Sequence, residues 1–421
     1  MANALITSSY ITNETLRVIH NNSVFLKYVN REYEPKWAKE GAKAGSTIQV
    51  RRPVQASIRS GATANFQDVN ETTVGLTVQP EFGVDWAFQD FDLSLSIDKF
   101  SDRYLQPFGK RLATELDWRI AQAMYKKVAN FVGTPGTTPA TQLVALQAQS
   151  KLDDGACLRD DERYMALAPL ANASMVDGLK ATFQSASVID KQYKSGLMGD
   201  ALGLHMYMSQ NVPSHTVGPL GGAPTVNGAN QGLINAGATD NPYAATTSVV
   251  TQAWTAAAAL RLKAGDVITF AGVNAVNPET KADLGYLRQF VVTADVSSDG
   301  AGAATIIVSP AIIAATVPGS TSAYQNVTAR PASGAAITVV TGTASAVYPQ
   351  NLVWHKDAFT LATVDMDLPG GMDMASRSVY EGVSLRFVRG FDITNNKRLC
   401  RFDILAAYDC LRPEFACRVT G

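Results

Sequence analysis

Two stretches of this chain carry most of the information about its fold. The first is Ala38-Lys-Glu-Gly-Ala-Lys-Ala-Gly-Ser-Thr-Ile-Gln-Val-Arg-Arg-Pro53, and the second, about 210 residues later, is Leu262-Lys-Ala-Gly-Asp-Val-Ile-Thr-Phe-Ala-Gly-Val273. In the first stretch, Ile48 and Val50 alternate with polar residues and Val54 follows, which predicts a strand over 47–54.

A second alternating segment, 74–88, follows the first strand after about 20 mostly polar residues. The polar stretch has few apolar side chains to bury, so we predict a two-stranded loop, 46–80, that projects from the body of the protein. Arg51, Arg52 and Arg59 lie on or beside this loop. Such a cluster is either a solvated face or, if the loop lies on a neighbouring subunit, a set of interchain ion pairs.

Working outward from the second stretch, residues 216–348 have an unusual composition. They carry 11 charged residues in 133, whereas the other 288 residues carry 62. Short apolar β-rich runs, such as 267–270, 290–296 and 305–308, are separated by Gly, Asn and Asp-Gly turns. We therefore predict an independent all-β domain inserted into a host whose chain resumes near Tyr348.

The host segments contain two clear helical patterns. A polar cap at Thr12 opens a helix over 12–29. The clearer helix covers 98–132, where apolar residues recur every four positions, and its main part from Phe108 would be about 37 Å long. A further helix is expected near 174–185.

The C-terminal part of the host, 349–421, reads as strands. The strand-like runs are 352–355, 384–388 and 401–407. We expect mixed structure between the long helix and the insert, over 133–215.

Overall charge and composition exclude several classes of protein. Lys plus Arg number 36 and Asp plus Glu 37, which gives a net charge of -1 and no basic footprint for strong nucleic-acid binding. The first nine residues do not have the pattern of a secretory signal, and the longest apolar run, 311–317, is too short to cross a bilayer. The four cysteines lack metal-site spacing, so we expect ordinary buried thiols.

Patterns that would indicate catalysis or cofactor binding are missing from the sequence. It has no nucleophile elbow, phosphate loop or dinucleotide fingerprint. Of its four histidines, His205 and His215 are ten residues apart with no carboxylate at ligand spacing. Asp365 and Asp367 begin a pattern that fails the calcium-loop spacing and is better explained as a polar turn. We expect no enzyme activity, no catalytic residue, no cofactor and no metal site.

The first stretch, 38–53, resembles the G-x-K-x-G-x-T-I-x-V-R-x-P segment of major capsid proteins of tailed double-stranded-DNA bacteriophages of the lambdoid short-tailed type. The second, 262–273, is similar to a strand-turn-strand of the immunoglobulin-like insertion domain of those proteins, and Thr225-Val-Asn-Gly-Ala resembles the start of that insertion. The motifs occur in the expected order, and the resemblance covers essentially the whole chain.

This resemblance implies an α+β tailed-phage capsid fold with an inserted all-β immunoglobulin-like domain. The implied segments are an N-terminal arm (1–45), an extended loop (46–80), a peripheral domain with a long spine helix (81–132), the first part of an axial domain (133–215), the inserted β domain (216–348) and the C-terminal part of the axial and peripheral domains (349–421).

The family also implies a function. Its members form icosahedral shells of hexamers and pentamers, assembled in the host bacterial cytoplasm as procapsids with a scaffolding protein and a portal. They expand around double-stranded DNA without sequence-specific binding, become the capsid of the virion and do not enter membranes. In relatives a loop of the insertion joins subunits across two-fold axes, and Asp240 is the only charge in the corresponding segment, 235–242. The alternative is a carbohydrate-binding or adhesive surface protein, suggested by the Thr/Ala/Gly-rich β domain.

Overall fold

The protein forms two compact units, each assembled from separated segments of the chain. The computed structural model describes residues 8–31, 45–52, 62, 73–89, 105–179, 199–229, 231, 246–314, 324–394 and 397–421. Unit 1 comprises Met1–Gln49, Gly75–Ala121 and Phe359–Asp409, and unit 2 comprises Val50–Val74, Gln122–Ala358 and Cys410–Gly421.

The α-helices of the described residues are α1 (Ser8–Asn22), α2 (Gln106–Tyr125), α3 (Gln142–Asp154) and α4 (Pro169–Leu179). The strands up to the middle of the chain are β1 (Thr47–Arg51), β2 (Thr73–Thr77), β3 (Phe82–Gln89), β4 (Phe131–Val132), β5 (Arg163–Leu167), β6 (Gly199–Ala201), β7 (Leu204–Met208), β8 (Ser214–Thr216), β9 (Thr225–Val226), β10 (Thr247–Gln252), β11 (Ala259–Leu262) and β12 (Val267–Val276). The remaining strands are β13 (Asp283–Val292), β14 (Val296–Ser298), β15 (Ala304–Ser309), β16 (Ile337–Val339), β17 (Val347–Pro349), β18 (Asn351–His355), β19 (Phe359–Thr363), β20 (Met374–Tyr380), β21 (Val383–Asp392), β22 (Lys397–Ile404), β23 (Ala406–Cys410) and β24 (Ala416–Val419).

Unit 1 is built on an antiparallel sheet in the order β20-β21-β22-β3. Phe387 and Phe402 face each other across β21 and β22 and are almost fully buried, because the alternation of each strand puts them on the same side. Helix α1 packs on β20 and β21. The carboxylate of Asp117 in α2 accepts hydrogen bonds from the backbone N–H groups of Val24 and Leu26, which fixes the turn after α1.

Unit 2 contains a mixed sheet in the order β4-β24-β18-β5-β7-β6. Strands β5 and β7 run parallel, as do β24 and β4, while β18 pairs antiparallel with both of its neighbours. All five residues of β18 are buried, which is typical of a central strand covered on both faces. Helix α3 contacts β24 and β18 and buries Ala145, Ala148 and Leu152.

The low-charge segment of unit 2 forms a second sheet, in the order β16-β12-β13-β15-β10-β9, together with the pair β11-β14. Its apolar side chains form a core of their own, which includes Phe270, Phe290 and Trp254. Strands β10 and β15 alternate between buried and exposed residues, as expected for a sheet with one face on a core. The predicted runs 267–270 and 305–308 lie inside β12 and β15. The run 290–296 is wrong as one strand, because β13 ends at Val292 and β14 begins at Val296.

The predicted host elements are present with different ends. The long helix α2 ends at Tyr125 and is about 30 Å long rather than 37 Å. The apolar spacing misled the prediction because Val128 is buried in the turn after the helix and Phe131 begins β4. Residues 98–104 lie outside the described part.

Other predicted elements also end early or divide. The predicted helix 12–29 ends at Asn22, because Phe25 is buried in the turn held by Asp117. The predicted strand 74–88 is two strands, β2 and β3, interrupted at Pro80, which has no N–H for a sheet. The first strand stops at Arg51 instead of Val54.

Two other host predictions also change. The run 401–407 divides between β22 and β23. The helix expected near 174–185 begins at Pro169, and residues 180–185 lie outside the described part.

Candidate functional sites

The arginines predicted beside the extended loop have different surroundings. Strands β1 and β2 form a two-stranded sheet, and Arg51 at the end of β1 is exposed. The next residue, Arg52, is only 7 % exposed, and its positive charge lies close enough to Glu414 to act on it. Burial raises the pKa of Glu414, and Arg52 partly opposes that rise. Arg59 and Asp240 lie outside the described residues. A single chain does not test contacts between subunits, so the intersubunit role of Arg51, Arg52, Arg59 and Asp240 stays a prediction.

An apolar groove of about 950 Å³ lies beside strands β3, β21 and β22 of the unit 1 sheet. Its lining includes Met372, Phe391, Ile393 and Leu399, and the exposed fractions of these side chains range from 46 % to 85 %. Leu399 is exposed because β22 alternates, which buries its neighbour Cys400, and both residues line the groove. An exposed apolar surface of this kind is typical of a protein contact site. The sequence prediction missed it, although the alternation of 397–404 is a signal that could have located Leu399.

Ion pairs border the groove on the same sheet. Arg386 pairs with Asp403 at 2.7 Å, Arg401 pairs with Glu81 at 3.0 Å, and Arg389 pairs with Asp373 at 2.8 Å. These three arginines are therefore paired within unit 1.

The inserted domain is attached to the rest of unit 2 through a buried carboxylate. Asp266 is fully buried, and its two oxygens accept four hydrogen bonds. The donors are His215 Nε2 at 2.8 Å, the Lys263 N–H at 2.8 Å, the Gly218 N–H at 3.1 Å and the Thr341 hydroxyl at 3.2 Å. The preceding Gly265 has a φ of +102°, and a Cβ atom there would lie 3.2 Å from the His215 ring. The motif Lys-Ala-Gly-Asp therefore makes a turn that only glycine allows.

Arg418 of β24 forms a second part of this attachment. One of its Nη atoms donates a hydrogen bond to the Gly265 carbonyl oxygen at 2.7 Å. The guanidinium also lies 5.3 Å from the centre of the Tyr125 ring, which is a cation–π distance. Burial lowers the pKa of Arg418 to about 10. The C-terminal strand thus binds the insert at the same turn that Asp266 organises.

Two further contacts come from strand β13 of the insert. The side-chain amide of Gln289 accepts a hydrogen bond from the Phe131 N–H at 2.8 Å and donates one to the Phe131 carbonyl at 2.9 Å. The Tyr286 hydroxyl donates to Asp154 at 2.8 Å, and the Lys151 ammonium lies over the Tyr286 ring. Burial lowers the pKa of Lys151 to about 8. The insert is therefore held by several directional contacts in addition to its two chain connections.

One group of side chains in the described part has the composition of a metal site, namely Asp160, Glu162 and His355. Its hydrogen bonds do not favour a metal. His355 Nδ1 accepts the Asp357 N–H at 3.2 Å, so the ring hydrogen belongs on Nε2, which donates to Asp160 at 3.0 Å. Lys356 already pairs with Glu162 at 2.8 Å. A metal at Nε2 would need the lone pair that this tautomer does not offer.

The four cysteines are free and buried, which confirms the prediction of ordinary buried thiols. Burial raises the pKa of Cys157, Cys400 and Cys417 to about 12, so these thiols are not reactive nucleophiles at neutral pH.

The separate core of the insert and the exposed apolar groove are features of a structural protein. Comparison with known proteins agrees with this class. A family model described as "P22 coat protein - gene protein 5" matches residues 1–421. The chain is also 25 % identical over 326 residues to the "Major capsid protein" of Acyrthosiphon pisum secondary endosymbiont phage 1, covering 76 % of this chain and 75 % of that relative. This chain is therefore a major capsid protein of a bacteriophage, not an enzyme. It belongs to the P22 coat protein family.

Solved structures similar to this chain include phage capsids. One from Mycobacterium phage Che8 covers 94 % of this chain and 90 % of its own, with 12 % identity and a TM-score of 0.45. The CUS-3 coat protein I-domain covers 28 % of this chain and 96 % of its own, with 31 % identity and a TM-score of 0.21.

Family membership gives the fold class, a phage capsid fold with an inserted domain, and the location, the shell of the virion. Capsid proteins of this kind assemble into multimeric shells. The alternative of a carbohydrate-binding or adhesive protein has no support. In the part of the chain that the structure describes, no helix is both long and apolar enough to cross a membrane.

Proposed function

We propose that this capsid protein closes an icosahedral shell of hexamers and pentamers around double-stranded DNA. The shell is assembled in the host bacterial cytoplasm as a procapsid, with a scaffolding protein and a portal, and expands during packaging. The observation that carries this proposal is the match of the P22 coat protein family over residues 1–421.

The charge of the chain supports a container that does not bind its contents tightly. The chain has a net charge of -1, and among the described residues Arg386, Arg389 and Arg401 are each paired with a carboxylate. Each phosphate contact would add to a salt-dependent affinity for DNA, and a wall with many such contacts would retain the genome. We therefore propose that the shell encloses DNA without sequence-specific binding.

The six segments keep their proposed roles: arm 1–45, extended loop 46–80, peripheral domain 81–132, axial domain 133–215, inserted domain 216–348 and C-terminal part 349–421. The separate core of the insert and the pairing of β1 with β2 support two of these divisions. We propose that the extended loop packs on a neighbouring subunit, so part of its stability comes from assembly.

Particle formation tests the proposed shell. The full chain, expressed with and without the scaffolding protein of its phage, is examined by sedimentation velocity and electron microscopy. Closed particles with five-fold and six-fold clusters are expected in the presence of scaffold. A monodisperse monomer under every condition would contradict the proposal.

Arg51→Ala tests the proposed contact of the loop. The yield of particles should fall while the melting temperature of the unassembled subunit stays unchanged, because Arg51 is exposed in the single chain. Arg111→Ala is a matched control, since Arg111 is 70 % exposed on α2. Arg52→Ala should instead lower the melting temperature, because Arg52 is buried. Equal particle yields for Arg51→Ala and the unmodified chain would refute the loop contact.

A further inference from the structure

His205 lies on β7, between two groups that can only accept hydrogen bonds. Its Nδ1 is 2.5 Å from a carboxylate oxygen of Asp200, and its Nε2 is 2.8 Å from the carbonyl oxygen of Asp161. A neutral imidazole has one N–H and can satisfy one of these acceptors, whereas the imidazolium has two N–H groups and satisfies both. The geometry around His205 is therefore that of a charged ring.

Asp160–Glu162, here called the acidic turn, also contacts His355 on β18, and the contacts of His355 do not need a charged ring. His355 donates from Nε2 to Asp160 and accepts the Asp357 N–H at Nδ1, which fits the neutral ring. Strand β5, which follows the turn, pairs with β18 on one side and β7 on the other. The acidic turn therefore contacts two histidines. The contacts of His205 require hydrogens on both ring nitrogens, and those of His355 require a hydrogen on Nε2 only.

The groups that face His205 come from three elements. Asp200 lies on β6, the Asp161 carboxylate lies 3.4 Å from Nε2 in the acidic turn, and the Tyr164 ring of β5 stacks on the imidazole at 5.5 Å. The neighbouring acids Asp160 and Glu162 are engaged by His355 and Lys356. The hydrogen bond to Asp200 raises the pKa of His205 above its ordinary 6.5, and burial opposes this only partly.

We propose that His205 is a pH-sensitive latch: the protonated ring links Asp200 of β6 to the acidic turn, and one of these two contacts is lost when the proton leaves. The ligand of this site is the proton itself, and the deprotonated ring can keep only one of the two contacts. Because the folded-state pKa is raised, the stabilisation is fully present below pH 6.5 and is lost as the pH rises through the higher folded value. The latch is closed in mildly acidic solution and opens toward alkaline pH.

Amide hydrogen exchange of the full chain tests the latch. Protection of the peptide covering 199–208, corrected for the intrinsic pH dependence of exchange, is measured between pH 5.5 and 9. It should be constant below pH 6.5, fall by up to about tenfold per pH unit between pH 6.5 and the folded-state midpoint of His205, and level off above that midpoint. His205→Gln should give low protection without a pH step. His355→Gln is the matched control and should keep the step, because its contacts use a neutral ring.

A second measurement does not depend on a variant that folds. Exchange of the imidazole C2 hydrogen, followed by mass spectrometry, reports the titration midpoint of His205 in the unmodified chain. A midpoint above 6.5 is expected, and Asp200→Asn should move it to lower pH. A midpoint at or below 6.5, or a pH step that survives in His205→Gln, would overturn the proposal.

Discussion

Replacing Asp266 by Ala should destabilise the chain more than any other single carboxylate change at the attachment of the insert. The substitution removes the acceptor of four hydrogen bonds and leaves the N–H groups of Lys263 and Gly218 inside a site from which water is excluded. Each buried donor left unsatisfied costs about 1–3 kcal/mol, and loss of a buried hydrogen-bonded charge typically costs about 3–5 kcal/mol in total. We expect a loss of about 3–5 kcal/mol, since local relaxation makes the individual contributions less than additive.

Urea unfolding followed by tryptophan fluorescence measures this loss, with Trp254 of the insert as a buried reporter. Asp295→Ala is the matched control. Asp295 also accepts a backbone N–H from the same turn, that of Ala264 at 2.8 Å, but it is exposed and its loss should cost less than about 1 kcal/mol. If the two variants unfold at the same urea concentration, the argument from buried acceptors is wrong.

Three further predictions follow from burial. Leu116→Ala in α2 should cost about 2–5 kcal/mol because Leu116 has no exposed surface, whereas the exposed Lys110→Ala should cost almost nothing; thermal unfolding of the two variants distinguishes them. Residues 216–348, expressed alone, should melt cooperatively in calorimetry because the insert has its own core, and a gradual loss of signal would contradict this. Lys151→Met should be more stable than the unmodified chain by about 3 kcal/mol at pH 7, since the pKa of Lys151 is lowered from 10.5 to about 8. The stability of the unmodified chain should rise between pH 8 and 10.5, where only the unfolded state keeps the proton, and a flat profile would refute the assignment.

Local sequence patterns were sufficient to predict the elements whose structure is determined by neighbouring residues. The strand runs of the insert could be predicted because their alternation and turn residues are short-range signals, and β12 and β15 contain the predicted segments. The low charge of 216–348 marked a segment with a different core, and the structure shows that core.

Features that depend on distant partners could not be predicted in this way. The turn after α1 is held by Asp117, which is 93 residues away from Val24, so no local pattern ends the helix at Asn22. His215 had no carboxylate at ligand spacing in the sequence, yet Asp266, 51 residues later, accepts its hydrogen bond. The two residues meet because the folded insert places Asp266 next to His215, the last host residue before the insert begins.

The insert has few acidic side chains, and these organise its turns and its attachment to the host. Its few carboxylates act within the chain: Asp299 accepts the N–H groups of Ala301 and Ala303, Asp283 accepts that of Gly285, and Asp266 joins the insert to His215. The insert has five Lys plus Arg against six Asp plus Glu, a net charge of -1, so it adds little long-range repulsion between copies. A shell brings many copies of this domain close together, so a domain with 11 charges in 133 residues is well suited to that crowding. Of the four donors to Asp266, only His215 lies outside the insert, so this buried hydrogen bond, with that of Arg418 to Gly265, joins the insert to the host at one turn.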